Sequence, residues 1–392
     1  MGTKYADRKM WDADSHLMET PDWLASYADP GIRDRLRPVI DLDRHTHDHL
    51  PKGSGGAEIA VQRRTDATAV AKAEAALMSA REWDALGSTD GVERRRALDL
   101  LGFEKQLVFT TFAMPQFDFK EADTDILYGG TTAHNRGIAD FCSSDDRLIA
   151  VGSIPLADPE RDLVALEEAL ALGCGAVLIP KENRGPHSPT HPVFDPIWAR
   201  LEEAGVPFMV HVGLGTDGRY FHRPFYDTGR RAAGSFTIEG ETIFSKDFMS
   251  LHYAARTLLS VMALDGVFER FPELRGGCVE FGALWVVTWL QQLDWTQHVF
   301  KRSEPGLDLP MKLSDYIRRA MRFTPYSGEP VGWMIEQAGH DLFMFSTDYP
   351  HPEGGRDPLK RFRESMGAVG EDAAEDFYWR NFAYLLGTDA AS

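Results

Sequence analysis

From about residue 100 onward, short apolar runs alternate with segments of helical periodicity. The runs KQLVFTTF (105–112), RLIAVGSIPL (147–156), GAVLIPK (175–181), PFMVHVG (207–213), GGCVEFG (276–282) and HDLFMFSTDYPH (340–351) are near-continuous in hydrophobicity. That pattern predicts parallel strands buried on both faces. The helices between them carry start and stop signals. In DPERDLVALEEALALG, Asp158 is placed to cap, Pro159 takes the first turn, Leu163, Leu166 and Leu170 share a face, and Gly173 ends the helix. FDPIWARLEEAG repeats the recipe, with Asp195 as the expected cap, Pro196 behind it and Gly205 as the stop. HYAARTLLSVMALDGVFERF is a further helical stretch. Such repetition makes either an open doubly wound sheet or a closed (β/α)₈ barrel. Polar residues collect at the C-terminal ends of the runs along the whole chain, which favours the barrel. An open sheet would gather them at one switch point. No GxGxxG or GxxxxGK[ST] follows a run, so dinucleotide and P-loop readings fall away.

Residues 38–104 break the rhythm and read as an insertion or lid inside a single domain spanning 1–392. They include RHTHDHLPKGSGG, where His45, His47 and His49 alternate beside Pro51 and a Gly-Ser turn, followed by a charged helical stretch. With no apolar run around them, these histidines read as a solvated loop rather than a metal strand.

The chain has 392 residues and a formal charge of −18, from 60 acids and 42 bases. This excess argues against a nucleic-acid footprint and an anionic membrane surface, while a small anionic substrate needs only local positive charge. No apolar run reaches membrane-span length, and MGTKYADRKMWDAD lacks the apolar core of a secretory signal. Gly2 follows Met1 but position 6 is Ala6, so myristoylation is not expected. Cys142, Cys174 and Cys278 are widely separated and form no CxxC pair. They are expected to fill apolar space in a reduced, cytoplasmic protein, and a homo-oligomer, most simply a dimer, is the expected assembly.

The candidate chemistry starts at WDADSHLME (11–19). On a strand, Asp12, Asp14 and His16 project from one face. Other strand ends add His211 (HVG), Glu280 (VEFG), and Asp348 and His351 (STDYPH), while His252 begins the helix between the His211 and Glu280 strands. Asp14, His16, His211 and Asp348 would offer a cation two imidazoles and two carboxylates. That mixture suits Zn²⁺, Mn²⁺ or Fe²⁺ rather than the all-oxygen sites of Ca²⁺ and Mg²⁺. Asp12 is placed to orient His16 from behind. Each of these residues also has a plain reading: a histidine after a buried strand is often hydrogen-bonded structure, and an aspartate there is often a helix cap.

Several segments together resemble the amidohydrolase-related family, in the branch of aminocarboxymuconate semialdehyde decarboxylase and the resorcylate-type decarboxylases. They are WDADSHLMETPDWL, VGSIPLADPERDLVALEEALALGCGAVLIPK, HPVFDPIWARLEEAGVPFMVHVG, GVFERFPELRGGCVEFGALW and FSTDYPHPEGG. The resemblance covers most of the chain except roughly 38–90. It implies a (β/α)₈ barrel with a metal at its C-terminal face. The first-strand H-x-H falls on Asp14 and His16, the fifth-strand histidine on His211 and the last-strand aspartate on Asp348. Two departures stand out: the first pair is D-x-H, and the acid–base histidine of the decarboxylases is Glu280 here. In two-metal members of the superfamily that position is itself a ligand, so the full candidate set is Asp14, His16, His211, His252, Glu280 and Asp348, able to hold one or two ions.

Three functions are thereby expected in order. The first is decarboxylation or hydrolysis of a small acid, with Glu280, His252 and Asp348 as catalytic candidates. Lys181 (LIPKENRG), His351, Phe281 and Trp285 are the substrate-contact candidates. The second is oxygenation of an apolar substrate by a di-iron centre, suited to the aromatics Phe221, Phe225, Tyr226, Phe236, Phe244, Phe248, Phe281 and Trp285. The third is a catalytically silent binding protein.

Overall fold

The computed structural model describes residues 5–37, 63, 65–119, 122–182, 184–213, 229, 236–238, 241–243, 245–351 and 354–388. His45, His47 and His49 lie outside them, as do Phe221, Phe225, Tyr226 and Phe244. The backbone of Phe236 is described, but not its side chain.

The apolar runs form β3 (Lys105–Thr110), β4 (Leu148–Ser153), β5 (Ala176–Leu178), β6 (Phe208–His211) and, after an antiparallel hairpin of β7 (Phe236–Ile238) and β8 (Glu241–Ile243), β9 (Gly276–Val279). The first run is split into β1 (Trp11–Asp12) and β2 (His16–Leu17), both pairing in parallel with β3. From β3 the sheet proceeds through β4, β5, β6 and β9 to β10 (Met321–Phe323), every step parallel. The segment 342–349 closes the circle. Phe323 N donates to Leu342 O and Met344 N to Phe323 O on one side. Ala13 N donates to Phe345 O, Asp348 N to Asp14 O and His16 N to Tyr349 O on the other. The result is the (β/α)₈ barrel.

Helices connect the strands on the outside: α1 (Gly91–Leu101), α2 (Thr124–Cys142), α3 (Pro159–Ala171), α4 (Asp195–Ala204), α5 (His252–Leu264), α6 (Leu284–Phe300), α7 (Leu313–Ala320), α8 (Val331–Ala338) and α9 (Pro358–Met366). Asp158 caps α3 by accepting from the N–H groups of Glu160 and Arg161. In α4, by contrast, Asp195 is the first helical residue rather than the cap, and it pairs with Arg270 at 3.0 Å. Of the stretch 38–104, the part 91–101 is α1, the crossover between the first two barrel strands, with Ala97, Leu98 and Leu101 in the core.

The barrel interior is filled by Leu107, Phe109, Val151, Ala176, Met209, Val279 and Met344, one or two from each of β3, β4, β5, β6, β9 and the 342–349 segment. The C-terminal residues Phe382, Ala383 and Leu385 pack into the same cluster and close the end opposite the site. There is no room to spare: a Cβ on Gly277 would lie 2.4 Å from Met209 Cε. This closely packed apolar base leaves the other mouth, where the strands end, to carry polar groups. All three cysteines are buried and free, as expected. Among the described residues, no helix is long and apolar enough to cross a membrane.

Candidate metal centre

Strand ends bring Asp14, His16, His211 and Glu280 together, with one ligand atom from each within 4.8 Å of the others. A second group, on the same criterion, joins His16 and Glu280 to Asp348 and His351. The expected set Asp14, His16, His211 and Asp348 is thus distributed over two overlapping groups. His252 is in neither. It heads α5, half-buried, with its ring stacked 5.5 Å from Trp285, and burial followed by the Arg256 charge pushes its pKa down.

The histidine tautomers follow from the hydrogen bonds. His16 Nδ1 faces Thr110 O at 3.3 Å, and His211 Nδ1 faces Val212 O at 2.8 Å. A carbonyl only accepts, so each Nδ1 carries the proton and each Nε2 is left with a lone pair. His16 Nε2 then lies 3.4 Å from Asp14 Oδ1 and 3.4 Å from Asp348 Oδ1. His211 Nε2 lies 3.4 Å from Asp14 Oδ1 and 3.2 Å from Glu280 Oε2. These are lone pairs facing carboxylate oxygens, an arrangement that repels unless positive charge sits between.

Asp14 Oδ1, His16 Nε2, His211 Nε2 and both oxygens of Asp348 are buried and take part in no hydrogen bond. Buried polar atoms are rarely left so. Ligands about 2.0–2.2 Å from a four-coordinate cation stand about 3.3–3.6 Å apart, close to the 3.2–3.4 Å of the contacts above, while His16 Nε2 to Glu280 Oε2 is wider at 3.9 Å. The residues present fit a divalent cation.

Charge balance follows the same geometry. Burial alone would raise Asp14, but His211 and His16 outweigh it and hold its carboxyl well below the usual range. Burial lowers His16 to about 3, helped by His351. Burial works against protonation of His211, yet Asp14 raises it overall. Burial, then the charge of Asp14, lifts Asp348 well above an ordinary carboxyl.

Asp12 does not orient His16. Its oxygens accept from Thr347 N (2.7 Å), Thr347 Oγ1 (2.6 Å) and Gln106 Nε2 (2.8 Å), tying the first strand to the last and to β3. The Thr110 carbonyl of the neighbouring strand orients His16 instead. Phe281 and Trp285 are core residues, and the Trp285 indole donates to Gly282 O. Lys181 donates to Gly213 O, two residues past His211.

Several supporting residues were not anticipated. Arg94 of α1 is fully buried and donates to His16 O, Gly87 O and Gln106 Oε1. Glu19, also fully buried, gathers the N–H groups of Thr111, Phe112 and Ala113 after β3, and burial raises it to about 7. Glu329 accepts from the N–H groups of Ala283, Leu284 and Tyr326, while Tyr326 donates to Glu280 O at 2.7 Å. These contacts hold Glu280 at φ 60° with Gly282 at φ 63° beside it, and Asp348 has φ 55°. A non-glycine residue in that region costs on the order of 1–3 kcal/mol, a strain that recurs at functional sites. The only sequence cue to any of these was a charged or polar residue next to an apolar run.

The amidohydrolase family model matches residues 12–387. The chain belongs to the amidohydrolase family. No curated protein matches it. A solved amidohydrolase from Mycobacterium avium subsp. paratuberculosis K-10 is similar with a TM-score of 0.73 and 21% identity, covering 97% of this chain and 100% of that one. The 5-carboxyvanillate decarboxylase from Novosphingobium aromaticivorans DSM 12444, complexed with manganese and 4-hydroxy-3-methoxy-5-nitrobenzoic acid, gives 0.63 and 19%, with 98% of both chains covered. The 2,6-dihydroxybenzoate decarboxylase from Rhizobium gives 0.61 and 18%, covering 97% and 99%. At these identities the likeness is one of fold.

Proposed function

We propose that this amidohydrolase-family protein is a divalent-metal-dependent enzyme that decarboxylates a small aromatic carboxylic acid without oxidation. The observation that carries the metal half of this reading is the convergence of the unpartnered Asp14, His16 and His211 atoms beside Glu280. The substrate half is supported by the solved decarboxylases of the same fold. Asp14, His16, His211 and Glu280 would hold the cation, and Mn²⁺ or Zn²⁺ suits their nitrogen and oxygen donors. When bound, the cation supplies Lewis-acid attraction for the substrate's carboxylate and neighbouring oxygen.

The remaining work falls to side chains. Lys181, three residues past β5 and bonded to Gly213 O, adds positive charge for an anionic acid. Loss of carbon dioxide leaves its bonding electron pair on the ring carbon, which must then take a proton. Asp348, beside His351 at 3.2 Å, is the carboxyl we assign to give it, and burial followed by the Asp14 charge shifts it toward its protonated form. His351 Nδ1 lies 3.2 Å from Asp348 Oδ1, and His351, once protonated to the imidazolium from the solvent side, returns the proton after each turnover.

The test is incubation of Mn²⁺-loaded protein with a panel of hydroxybenzoic acids in D₂O. Expected are release of carbon dioxide and one deuterium at the vacated ring position, with Asp348→Asn slower by about 10²–10⁴-fold, the usual worth of a positioned acid. Cleavage of esters or amides with no carbon dioxide from any acid would overturn the assignment in favour of hydrolysis.

A further inference from the structure

His134 is a buried titratable side chain with no part in the chemistry above. It lies on α2, 1% exposed, and burial pushes its pKa down to about 4, so the ring is neutral. A neutral imidazole has one donor and one acceptor, and its neighbours decide which nitrogen is which. Asn135 Oδ1 accepts from Ser153 N at 2.7 Å while Asn135 Nδ2 donates to Ser153 O at 3.1 Å, which fixes the orientation of that amide. His134 Nδ1 faces the fixed oxygen at 3.0 Å and therefore carries the proton. Its Nε2 keeps the lone pair, and Thr110 Oγ1, 3.0 Å away, donates to it.

Thr110 is where this chain of bonds meets the metal centre. Its carbonyl accepts from His16 Nδ1 at 3.3 Å. The side chain is β-branched and stiff at χ1, so a hydroxyl held in one direction restrains the backbone that carries the carbonyl. The far side of the same peptide plane is held as well, because Thr111 N–H donates to the buried Glu19 carboxylate at 3.0 and 3.2 Å. The linkage thus runs from Ser153, ending β4, through Asn135 and His134 to Thr110, ending β3, and on to His16, opening β2. Parallel pairing sets those strands side by side. It does not set the rotation of a ring, which the buried bonds do. Filling space in α2 needs no polar ring, and burying one is costly unless its nitrogens are used.

We propose that His134 is a positioning residue for the metal centre, fixing the His16 imidazole through Thr110 so that His16 Nε2 is preset toward Asp14 Oδ1. This rests on the metal-dependent reading above and refines it. His134 touches neither cation nor substrate, so its effect is read in cation affinity and in the geometry of the bound ion.

The experiment is Mn²⁺ titration of the metal-free full-length protein, followed by electron paramagnetic resonance, which reports free and bound ion and the zero-field splitting of the bound one. An asparagine amide reaches the place of a histidine Nδ1, and a glutamine amide that of Nε2. His134→Asn therefore keeps the bond to Asn135 and loses the one to Thr110, whereas His134→Gln keeps the second and should recover most of the affinity. Thr110→Val replaces only the hydroxyl, and Thr110→Ser restores it. Binding about 10-fold weaker, with an altered splitting, is expected for His134→Asn and for Thr110→Val, the low end for residues that orient ligands. Their double variant should bind no more weakly than either alone, because both break one link. Parent-like affinity and splitting in both single variants would overturn the role of His134 and leave the metalloenzyme reading intact. Equal losses in His134→Asn and His134→Gln would mark a packing role and overturn it too, and losses that add in the double variant would overturn the route through Thr110. No bound ion in the parent would remove both readings. If His134→Asn fails to fold by circular dichroism, Thr110→Val against Thr110→Ser decides.

Discussion

Glu329 offers a severe test of how the site is held, because it touches none of the candidate ligands. Its Oε2 accepts from Ala283 N and Tyr326 N, and its Oε1 from Leu284 N, at 2.8–2.9 Å. Two of these donors belong to the first turn of α6 (Leu284–Phe300) or its cap, where N–H groups have no intrahelical partner. A carboxylate there also meets the positive end of the helix. Glu329→Gln keeps the shape but turns one oxygen into a donor that faces other donors. Should the oxygen that faces Ala283 and Tyr326 be replaced, two hydrogen bonds to a charged acceptor are lost. At roughly 1.5–3 kcal/mol each, offset by the smaller cost of burying an amide, the net loss is about 2–4 kcal/mol. The same change frees the turn 280–284, whose strained Glu280 would relax, and metal affinity should fall by about 10–100-fold, as for residues that orient ligands. Urea unfolding of the metal-free protein measures the first quantity and Mn²⁺ titration the second. A variant within about 0.5 kcal/mol of the parent and with unchanged affinity would refute the claim that this carboxylate sets the Glu280 geometry.

Three other outcomes follow from the same structure. Burial raises the folded pKa of Glu19 to about 7 from the ordinary 4.5, so its contribution is fully present below about pH 4.5 and is lost as pH rises through 7. Between those limits the parent should lose about 3 kcal/mol of stability that Glu19→Gln does not lose, and a rise of parent over variant across that window would contradict it. His252→Ala should leave the metal count unchanged while weakening packing on Trp285, checked by elemental analysis beside thermal unfolding. Removing metal with a chelator should abolish turnover and lower the melting temperature, since a cation at 100 times its dissociation constant adds about 2.7 kcal/mol; an unchanged melting curve would count against a built-in cation.

The barrel was legible because buried parallel strands write themselves as apolar runs, and five of the six expected after residue 100 became named strands. β10 was missed: Met321–Arg322–Phe323 is three residues long with a buried arginine in the middle, too short and too polar for a pattern. The candidate ligands were legible because each ends or follows a run, where a barrel collects its polar groups. What holds them was not. Thr347 on Asp12, Glu329 on the 283–284 amides and Arg94 on His16 are contacts made by the closed fold between segments distant in sequence. His252 misled for the complementary reason: it starts the right helix at the right mouth, but its ring stacks on Trp285 instead of turning inward. Asp12 misled because three alternating residues seemed to share one function, whereas the strand breaks between Asp12 and His16 and gives them different neighbours.

The central claim is that acids and imidazoles from separate strand ends grip a cation at one mouth of the barrel. Anomalous diffraction from crystals soaked in Mn²⁺ tests it directly. The account predicts a peak bounded by Asp14, His16, His211 and Glu280, with ligand distances near 2.1–2.2 Å, about those expected for nitrogen and oxygen donors. Crystals with no peak at that position, or with manganese only on surface carboxylates, would contradict it.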